Sequence, residues 1–275
     1  MENIGKTQSI VVGVDFSKYS KSAVLQARVL SKKWKVPLTL VHAFEDPIVS
    51  EQRFPDIVAH ETEYYRKRIN RFYQVQNNET VAIKCGRPFE QILKVAGKLR
   101  RPLIVVGHRG NRGSFSRVFI GSTAERVAQK STNPVWIHNG SKSIQPNRVL
   151  IPCDLSDRAS HTAQFIKKNG FGRTKLDLFH VIVPPTPALD YEAWKISVKE
   201  VTRLNTEQVK KYKKKYPTLK MSEAWGNAFD EVERRAKGFD VIALSPREAK
   251  SFFQGFGSVT SKIVRASKKP VLVIP

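Results

Sequence analysis

Cysteine, acidic residues and long apolar runs are all scarce in this 275-residue chain. The 2 cysteines, Cys85 and Cys153, lie far apart, and no Cys-x-x-Cys or Cys/His cluster has the spacing of a metal site. No apolar run approaches the roughly 20 residues that cross a bilayer, and residues 1–6 lack the apolar core of a signal peptide. We therefore expect a cytoplasmic protein with free thiols rather than a disulfide scaffold, a zinc domain or a membrane-spanning chain.

The shortage of acidic residues leaves the protein strongly basic. Lys and Arg number 48 against 24 Asp and Glu, for a formal net charge of +24. Residues 1–140 hold 23 basic and 11 acidic residues and residues 141–275 hold 25 and 13, so each half carries +12. The charge thus belongs to the whole surface rather than to a tail. It suits either solubility in a charged cytoplasm or an anionic partner, and no nucleic-acid recognition motif accompanies it.

The chain is an internal repeat of about 137 residues. Residues 9–17 (Ser-Ile-Val-Val-Gly-Val-Asp-Phe-Ser) match residues 148–156 (Arg-Val-Leu-Ile-Pro-Cys-Asp-Leu-Ser), and His42 matches His180. Gly121-Ser122 recurs as Gly257-Ser258, and residues 134–137 recur as residues 270–273. The repeat predicts two domains, a first copy at residues 1–140 and a second copy at residues 147–275, joined by a polar linker.

Short Val- and Ile-rich runs alternate with amphipathic stretches in both copies. The predicted strands of the first copy are residues 10–14, 38–43, 81–85, 103–107 and 135–138, and its predicted helices are residues 18–34, 51–73, 89–99 and 121–130. The predicted strands of the second copy are residues 149–153, 176–182, 221–225, 241–245 and 271–274. Alternating strands and helices predict an α/β fold with two tandem, doubly wound, open parallel sheets of five strands each.

Such a sheet binds ligands beyond the carboxyl ends of its strands, where the strand order reverses. In the first copy these positions are Asp15, residues 42–43 and the loop after Val106. That loop contains Gly107, Gly110, Gly113 and Gly121, together with Arg109, Arg112 and Arg117. Gly121-Ser122 opens a predicted helix whose free N–H groups and dipole favour a phosphate. The spacing of the glycines alone equally allows a surface connection with solvated arginines.

These residues resemble the universal stress protein family. The resemblance rests on Asp-x-Ser after the first strand, Val-His near the end of the second, and Gly-x2-Gly followed by Gly-Ser after the fourth. Asp154-Leu-Ser156, Phe179-His180 and Gly257-Ser258 continue it in the second copy, and residues 86–93 resemble the segment that enters the third helix of the family. The resemblance therefore covers nearly the whole chain as a tandem pair with a Rossmann-like, adenine nucleotide alpha hydrolase-like fold.

The resemblance implies an ATP site in the first copy, with or without Mg²⁺. By this resemblance Asp15 would hydrogen-bond the ribose or the adenine edge, and Ala43 would lie under the base. Val106 and Gly107 would line the sugar, and the phosphates would be held by backbone N–H and hydroxyl groups of four residues, Gly110, Gly121, Ser122 and Thr123. Gly13 and Arg109 complete the predicted site, and no metal ligand or catalytic residue is predicted.

Two departures from the family pattern bear on this site. Residues 111–120 place ten residues between Gly110 and Gly121, where the family has nine. The second copy lacks both glycines of Gly-x2-Gly and has Pro246, which has no N–H to offer a phosphate. We predict that the second copy does not bind ATP in the manner of the family. Arg247 leaves a different anionic ligand open there.

Three functional hypotheses follow. The first is a tandem universal stress protein that binds ATP in its first copy and acts as a regulatory or survival factor in the stress response. The second is that both nucleotide sites have degenerated and the basic surface binds nucleic acid, an acidic protein or a lipid headgroup. The third is an ATP-hydrolysing enzyme, which the sequence favours least because it has neither a Gly-x4-Gly-Lys-Ser/Thr loop nor a Gly-x-Ser-x-Gly elbow.

Three local features complete the expectations. His42 and His180 are predicted to bond the backbone at strand ends rather than to act as bases. The lysine-rich residues 210–215 are predicted to close a helix before Pro217, where cations suit the helix dipole. The resemblance implies pairing through the last strand of the sheet, which in a tandem chain would join residues 135–137 to residues 271–273 as an internal pseudo-dimer. Pairing of two chains through a bare edge strand stays open.

Overall fold

Strands and helices alternate throughout the described chain. The computed structural model describes residues 5–45, 54–109, 121–170, 174–187, 190–246 and 256–275. The strands of the first copy are β1 (Ser9–Gly13), β2 (Leu38–Phe44), β3 (Glu79–Cys85), β4 (Pro102–Gly107) and β5 (Val135–His138). Its helices are α1 (Lys18–Trp34), α2 (Pro55–Tyr73), α3 (Pro88–Ala96) and α4 (Ser122–Lys130).

The second copy repeats this order of elements. Its strands are β6 (Arg148–Pro152), β7 (Lys175–Ile182), β8 (Met221–Trp225), β9 (Val241–Leu244) and β10 (Val271–Val273). Its helices are α5 (Asp157–Lys168), α6 (Tyr191–Lys215), α7 (Ala228–Ala236) and α8 (Ser258–Ala266). All ten strands agree with the sequence prediction to within two residues at either end. Central strands were predictable because runs buried on both faces of a parallel sheet are continuous and apolar, whereas the edge strands β3 and β8 are only partly buried.

Two helix boundaries differ from the prediction by more than one residue, for local reasons. Helix α2 begins at Pro55, whose missing N–H and restricted φ suit the first turn of a helix. The expected start at residue 51 lies outside the described residues. Helix α3 ends at Ala96 rather than at residue 99, with Gly97 as its C-cap donating its backbone N–H to Leu93 O at 2.8 Å. The spacing of apolar residues does not show where such caps begin or end a helix.

The ten strands form one sheet in the order β3-β2-β1-β4-β5-β10-β9-β6-β7-β8. Strands within each copy are parallel, and β5 pairs with β10 in antiparallel fashion, with Trp136 opposite Leu272. The expected internal pairing is therefore confirmed, and it joins the two predicted five-stranded sheets into one. Because the joint is antiparallel, the carboxyl ends of β1, β2 and β4 share a sheet edge with the amino ends of the second copy's strands.

Both faces of the sheet are covered by helices. Residues from α1, α2, α5 and α6 pack on one face, where Ile10, Trp136 and Leu272 are buried. Residues from α3, α4, α7 and α8 pack on the other, where Val11 and Ile104 are buried. Adjacent residues such as Ile10 and Val11 are both 0% exposed, which is the signature of a strand buried on both sides. The apolar core of each face runs through both copies.

The longest described helix, α6, ends in lysines as predicted. It stops at Lys215, and Tyr216 forms its C-cap. Lys213 binds Glu223 at 2.9 Å and Lys215 binds Asp157 at 2.8 Å, so two lysines of the run belong to local ion pairs. No helix in the described part of the chain combines the length and the apolar character needed to cross a bilayer.

Candidate functional site

A cavity of about 750 Å³ lies at the carboxyl ends of β1, β2 and β4. The strand order reverses at this point, because β2 and β3 lie on one side of β1 and β4 and β5 lie on the other. It reaches the amino ends of α3 and α4 and one side of α2. The predicted site residues that line it are Gly13, Asp15, Ala43, Val106, Gly107, Arg109, Gly121, Ser122 and Thr123. Gly110, the remaining predicted residue, lies outside the described residues. The fold thus brings three separate sequence motifs to one cavity.

The turn after β1 holds Asp15 at the wall of this cavity. Asp15 Oδ1 accepts the backbone N–H of Ser17 at 3.1 Å. The next residue, Phe16, has a φ of 63°, which is unusual for a residue with a large side chain. Its N–H donates to the hydroxyl of Tyr73 at 2.7 Å, and that hydroxyl also lies 2.7 Å from Ser20 Oγ. Burial raises the pKa of Tyr73 to about 12, so the phenol stays neutral and can fill this bridging role.

Gly107 is required by packing at the end of β4. A Cβ at this position would lie 2.8 Å from the carbonyl carbon of Tyr19 and 2.9 Å from its oxygen. Because these are backbone atoms at the start of α1, the clash could not be relieved by rotating a side chain. A glycine here lets β4 approach α1 closely, and it also leaves the cavity wall open at that point.

The amino end of α4 faces the cavity without a capping side chain. Gly121 is the N-cap residue, and its own N–H donates to the carbonyl of His108 at 2.8 Å. The cavity is lined from Gly121 to Ala124, so the first turn of the helix opens onto it. Arg126 also lines the cavity, with its guanidinium 5.2 Å from the ring centre of Phe89. The Gly121 N–H is already bonded, contrary to the prediction that it would hold a phosphate. The N–H groups that follow it in the first turn, the helix dipole and the nearby guanidinium groups form an environment suited to an anion.

The two strand-end histidines bond the backbone, as predicted. His42 Nδ1 lies 2.8 Å from Val14 O, and His180 Nδ1 lies 2.8 Å from Cys153 O. Burial lowers the pKa of His42, which keeps the ring neutral with the proton on Nδ1. His180 Nε2 is 3.1 Å from Asn205 Oδ1, whereas His42 Nε2 is buried with no hydrogen-bond partner in the described part of the chain. The rings of Phe16 and Tyr65 pack against the His42 ring, at centroid distances of 4.9 Å and 4.6 Å, so this part of the cavity wall is aromatic.

Helix α2 contributes a side of the cavity that the sequence motifs did not indicate. Ile57, Glu61, Tyr65 and Arg68 all line it. The Arg68 guanidinium lies 4.2 Å from the ring centre of Phe16. The steps of four, four and three residues place these side chains on one face of the helix, so helical spacing was the available signal. Helix α3 adds Arg87, Pro88, Phe89 and Ile92, which also lay outside the prediction.

The corresponding edge of the second copy is arranged differently. Asp154 accepts a hydrogen bond from Arg158 through Oδ2 and one from the Ser156 N–H through Oδ1. Burial acts against ionisation of Asp154, but the hydrogen bonds from Ser156 and Arg158 lower its pKa to about 2. The carboxylate that matches Asp15 is therefore held by the protein itself. Pro246 follows β9, and the segment at residues 247–255 lies outside the described residues.

Metal ligands do not gather at this cavity in the structure as described. Across the described residue ranges, no group of three or more His, Cys, Asp and Glu side chains is placed to hold a metal ion.

Comparisons with known proteins agree with this architecture. A universal stress protein of Mycolicibacterium smegmatis is 23% identical over 288 residues, with 96% of both chains covered. A universal stress protein of Mycobacterium tuberculosis is 23% identical over 299 residues, covering 99% of this chain and 98% of the relative. The crystal structure of a universal stress protein from Archaeoglobus fulgidus covers 97% of each chain with a TM-score of 0.62 and 20% identity, which shows that the fold is shared.

A family model matches each half of the repeat separately. The model for the universal stress protein family matches residues 6–138 and again residues 146–275. Each match contains one complete set of five strands and four helices, and the join between them falls in the polar segment after β5. Two full matches in one chain are what a duplicated domain should give, so this chain belongs to the universal stress protein family and is a tandem member of it.

Proposed function

We propose that the first copy binds ATP in the cavity at the ends of β1, β2 and β4. The chain would act as a nucleotide-responsive factor of the stress response rather than as an enzyme. The observation that carries the proposal is the meeting of Asp15, Ala43 and the Gly121–Thr123 segment around one cavity of about 750 Å³. These residues come from three separate parts of the sequence, and they supply a carboxylate, a small apolar floor and the N–H groups of Ser122 and Thr123 in the first turn of α4.

The chemistry of the wall supports a nucleotide over a simple anion. Its two ends differ, because the first turn of α4 with Arg109 and Arg126 is suited to phosphates, whereas the region around Ala43 and Tyr65 is apolar and aromatic. Between them, Asp15 offers a carboxylate to sugar hydroxyls. A ligand that has a planar base at one end and a polyphosphate at the other matches this arrangement.

The test is a calorimetric titration of ATP into the nucleotide-free full-length chain and into the Gly121→Asp variant. Aspartate is a favourable N-cap residue, so the variant should keep or slightly raise the stability of α4. Its carboxylate would stand where the phosphates are proposed to bind. We expect one site in the wild type and at least a tenfold loss of affinity in the variant.

The repeat provides a matched control, Gly257→Asp. Gly257 is the N-cap of α8 and holds the place of Gly121 in the second copy, and a Cβ there would meet nothing within 4 Å. This variant should bind ATP as the wild type does. Equal binding by both variants, or the absence of binding by the wild type, would overturn the proposal.

Salt separates this proposal from the hypothesis of a polyanion on the basic surface. A polyanion that displaces counterions loses affinity steeply as salt rises, whereas one nucleotide in a cavity responds less. Repeating the titration at two salt concentrations, and with single-stranded nucleic acid in place of ATP, therefore tests the second hypothesis. Binding of the nucleic acid alone, with a steep salt dependence, would favour it.

A further inference from the structure

Helix α8 of the second copy contacts the start of α4, next to the cavity of the first. Arg265 Nε and Nη2 lie 2.8 Å and 2.6 Å from Glu125 Oε1. Burial and the charge of Arg109 lower the pKa of His108, and the backbone of Arg265, which lies beside the ring, acts in the opposite direction. His108 and Glu125 stand on either side of residues 110–120, the loop that the sequence motifs assign to the phosphates. One residue of the second copy thus touches both flanks of that loop.

This contact has no counterpart in the other direction. A shift of 136 positions places Ser261 at the position of Glu125 and Gln129 at the position of Arg265. Neither residue is charged, so the reciprocal ion pair cannot form. Gln129 instead donates to Glu125 Oε1 at 3.1 Å, within the first copy. The charged contact between the copies therefore serves only the copy that retains the glycine-rich loop.

The position of Glu125 explains what the contact can do. Glu125 lies in the first turn of α4, three residues after Ser122, and its side chain is 20% exposed. A carboxylate there suits the helix dipole when no ligand is present, but it repels a polyphosphate bound at the same helix end. The Arg265 guanidinium offsets this repulsion by neutralising the carboxylate and holding it toward the second copy.

We propose that Arg265 is a positioning residue for the polyphosphate site, through which the second copy sets the nucleotide affinity of the first. This inference rests on the proposed function, since it concerns the same cavity. By linkage, a ligand whose binding is favoured by the Arg265–Glu125 contact must strengthen that contact in return. The degenerate copy is then a regulatory partner of the active one.

The experiment titrates ATP, ADP and adenosine into the full-length wild type, Arg265→Ala, Arg265→Lys and the double variant Glu125→Gln with Arg265→Ala. An ion pair of this exposure predicts roughly a two- to fivefold loss of ATP affinity in Arg265→Ala. The loss should be smaller for ADP and absent for adenosine, because the repelled charge is on the phosphates. Arg265→Lys should keep most of the affinity, and the double variant should recover that of the wild type.

The control is Arg235→Ala, which breaks a different arginine pair in the second copy. Arg235 binds Asp177 at 2.6 Å, and its side chain is 41% exposed against 49% for Arg265. ATP affinity should not change in this variant. Unchanged ATP binding in Arg265→Ala, an equal loss for adenosine, or no recovery in the double variant would overturn this inference alone. Failure of the wild type to bind ATP would overturn the proposed function as well.

Discussion

The turns that follow β1 and β6 have the same backbone and different side-chain partners. Phe16 and Leu155 both have a φ of 63°, and the aspartate before each accepts the N–H of the serine that follows, at 3.1 Å and 3.2 Å. In the second copy Arg158 binds that aspartate, whereas the matching position of the first copy is Tyr19. The two copies therefore share the backbone of the turn and the aspartate, and they differ in having Tyr19 or Arg158 at the position that can contact this aspartate.

The copies also differ at the strands that join them. Trp136 on β5 and Leu272 on β10 hold matching positions, lie opposite each other across the antiparallel pair and are both buried. His138 ends β5 and is buried, while Ile274 holds its place in the second copy. The two strands of the joint thus have the same backbone arrangement but different side chains. Substitutions on β5 and β10 can therefore measure how much each copy contributes to the free energy of unfolding.

The largest effect is expected from emptying the core at this joint. Trp136→Ala should lower the free energy of unfolding by about 3–5 kcal/mol and Leu272→Ala by about 2–5 kcal/mol, because each leaves a cavity in a region that is closed to water. Since both residues lie in the β5–β10 pair that joins the two copies, denaturant unfolding followed by fluorescence and circular dichroism should show one joint transition in both variants. Two separate transitions, with one copy unaffected, would contradict a continuous core.

His138, but not Ile274 at the matching position, should make the stability of the protein depend on pH in the acid range. Burial lowers the pKa of His138 from 6.5 to about 4. The folded state therefore binds this proton less readily than the unfolded state does. The contribution to stability is complete above pH 6.5 and is lost as the pH falls toward 4.

The corresponding variant is His138→Gln, which keeps a hydrogen-bonding group and removes the titration. Between pH 7 and pH 4.5 the wild type should lose about 2 kcal/mol more unfolding free energy than the variant. Burial also lowers the pKa of His42 and His108, and that part of the acid sensitivity should remain in both proteins. Parallel pH profiles for the two proteins would show that His138 is not the group responsible.

A smaller effect separates the caps of α1 and α5. Ser17 Oγ accepts the N–H of Ser20 at 3.0 Å, a true N-cap bond, whereas Ser156 makes no side-chain cap bond and its hydroxyl donates to Asp154. Ser17→Ala should cost about 1 kcal/mol of unfolding free energy, and Ser156→Ala should cost less. Urea unfolding of the pair measures the difference. A larger loss in Ser156→Ala would mean that the hydroxyl supports the second copy through Asp154.

Much of the fold could be predicted because apolar runs and amphipathic stretches alternate along the sequence. Runs such as residues 103–107 are apolar throughout. Because the chain is a repeat, each strand predicted in one copy could be compared with the matching segment of the other. The pairing of residues 135–137 with residues 271–273 followed from the family resemblance applied to a tandem chain, since family members pair through the last strand of the sheet. Helix ends were less accessible, since the end of α3 depends on a cap at Gly97 rather than on the apolar pattern.

The candidate site was predictable only in part. Asp15 and Gly121 stand out because few residue types suit an exposed strand end or an uncapped helix start. The contribution of α2, the Tyr73 hydroxyl that holds Phe16, and the Arg158 that occupies Asp154 leave no such local mark. Each depends on which side chains the packing of helices on the sheet brings into contact.

By itself the sequence determined that this chain is a duplicated α/β domain with one glycine-rich loop retained and one lost. Those properties reside in the order of neighbouring residues and in their 137-residue recurrence. Only the tertiary structure decided that Arg265 meets Glu125, 140 positions away, beside the retained loop. The antiparallel joint of β5 and β10 brings the end of α8 to the start of α4, and a contact made by that geometry has no signature in either local sequence.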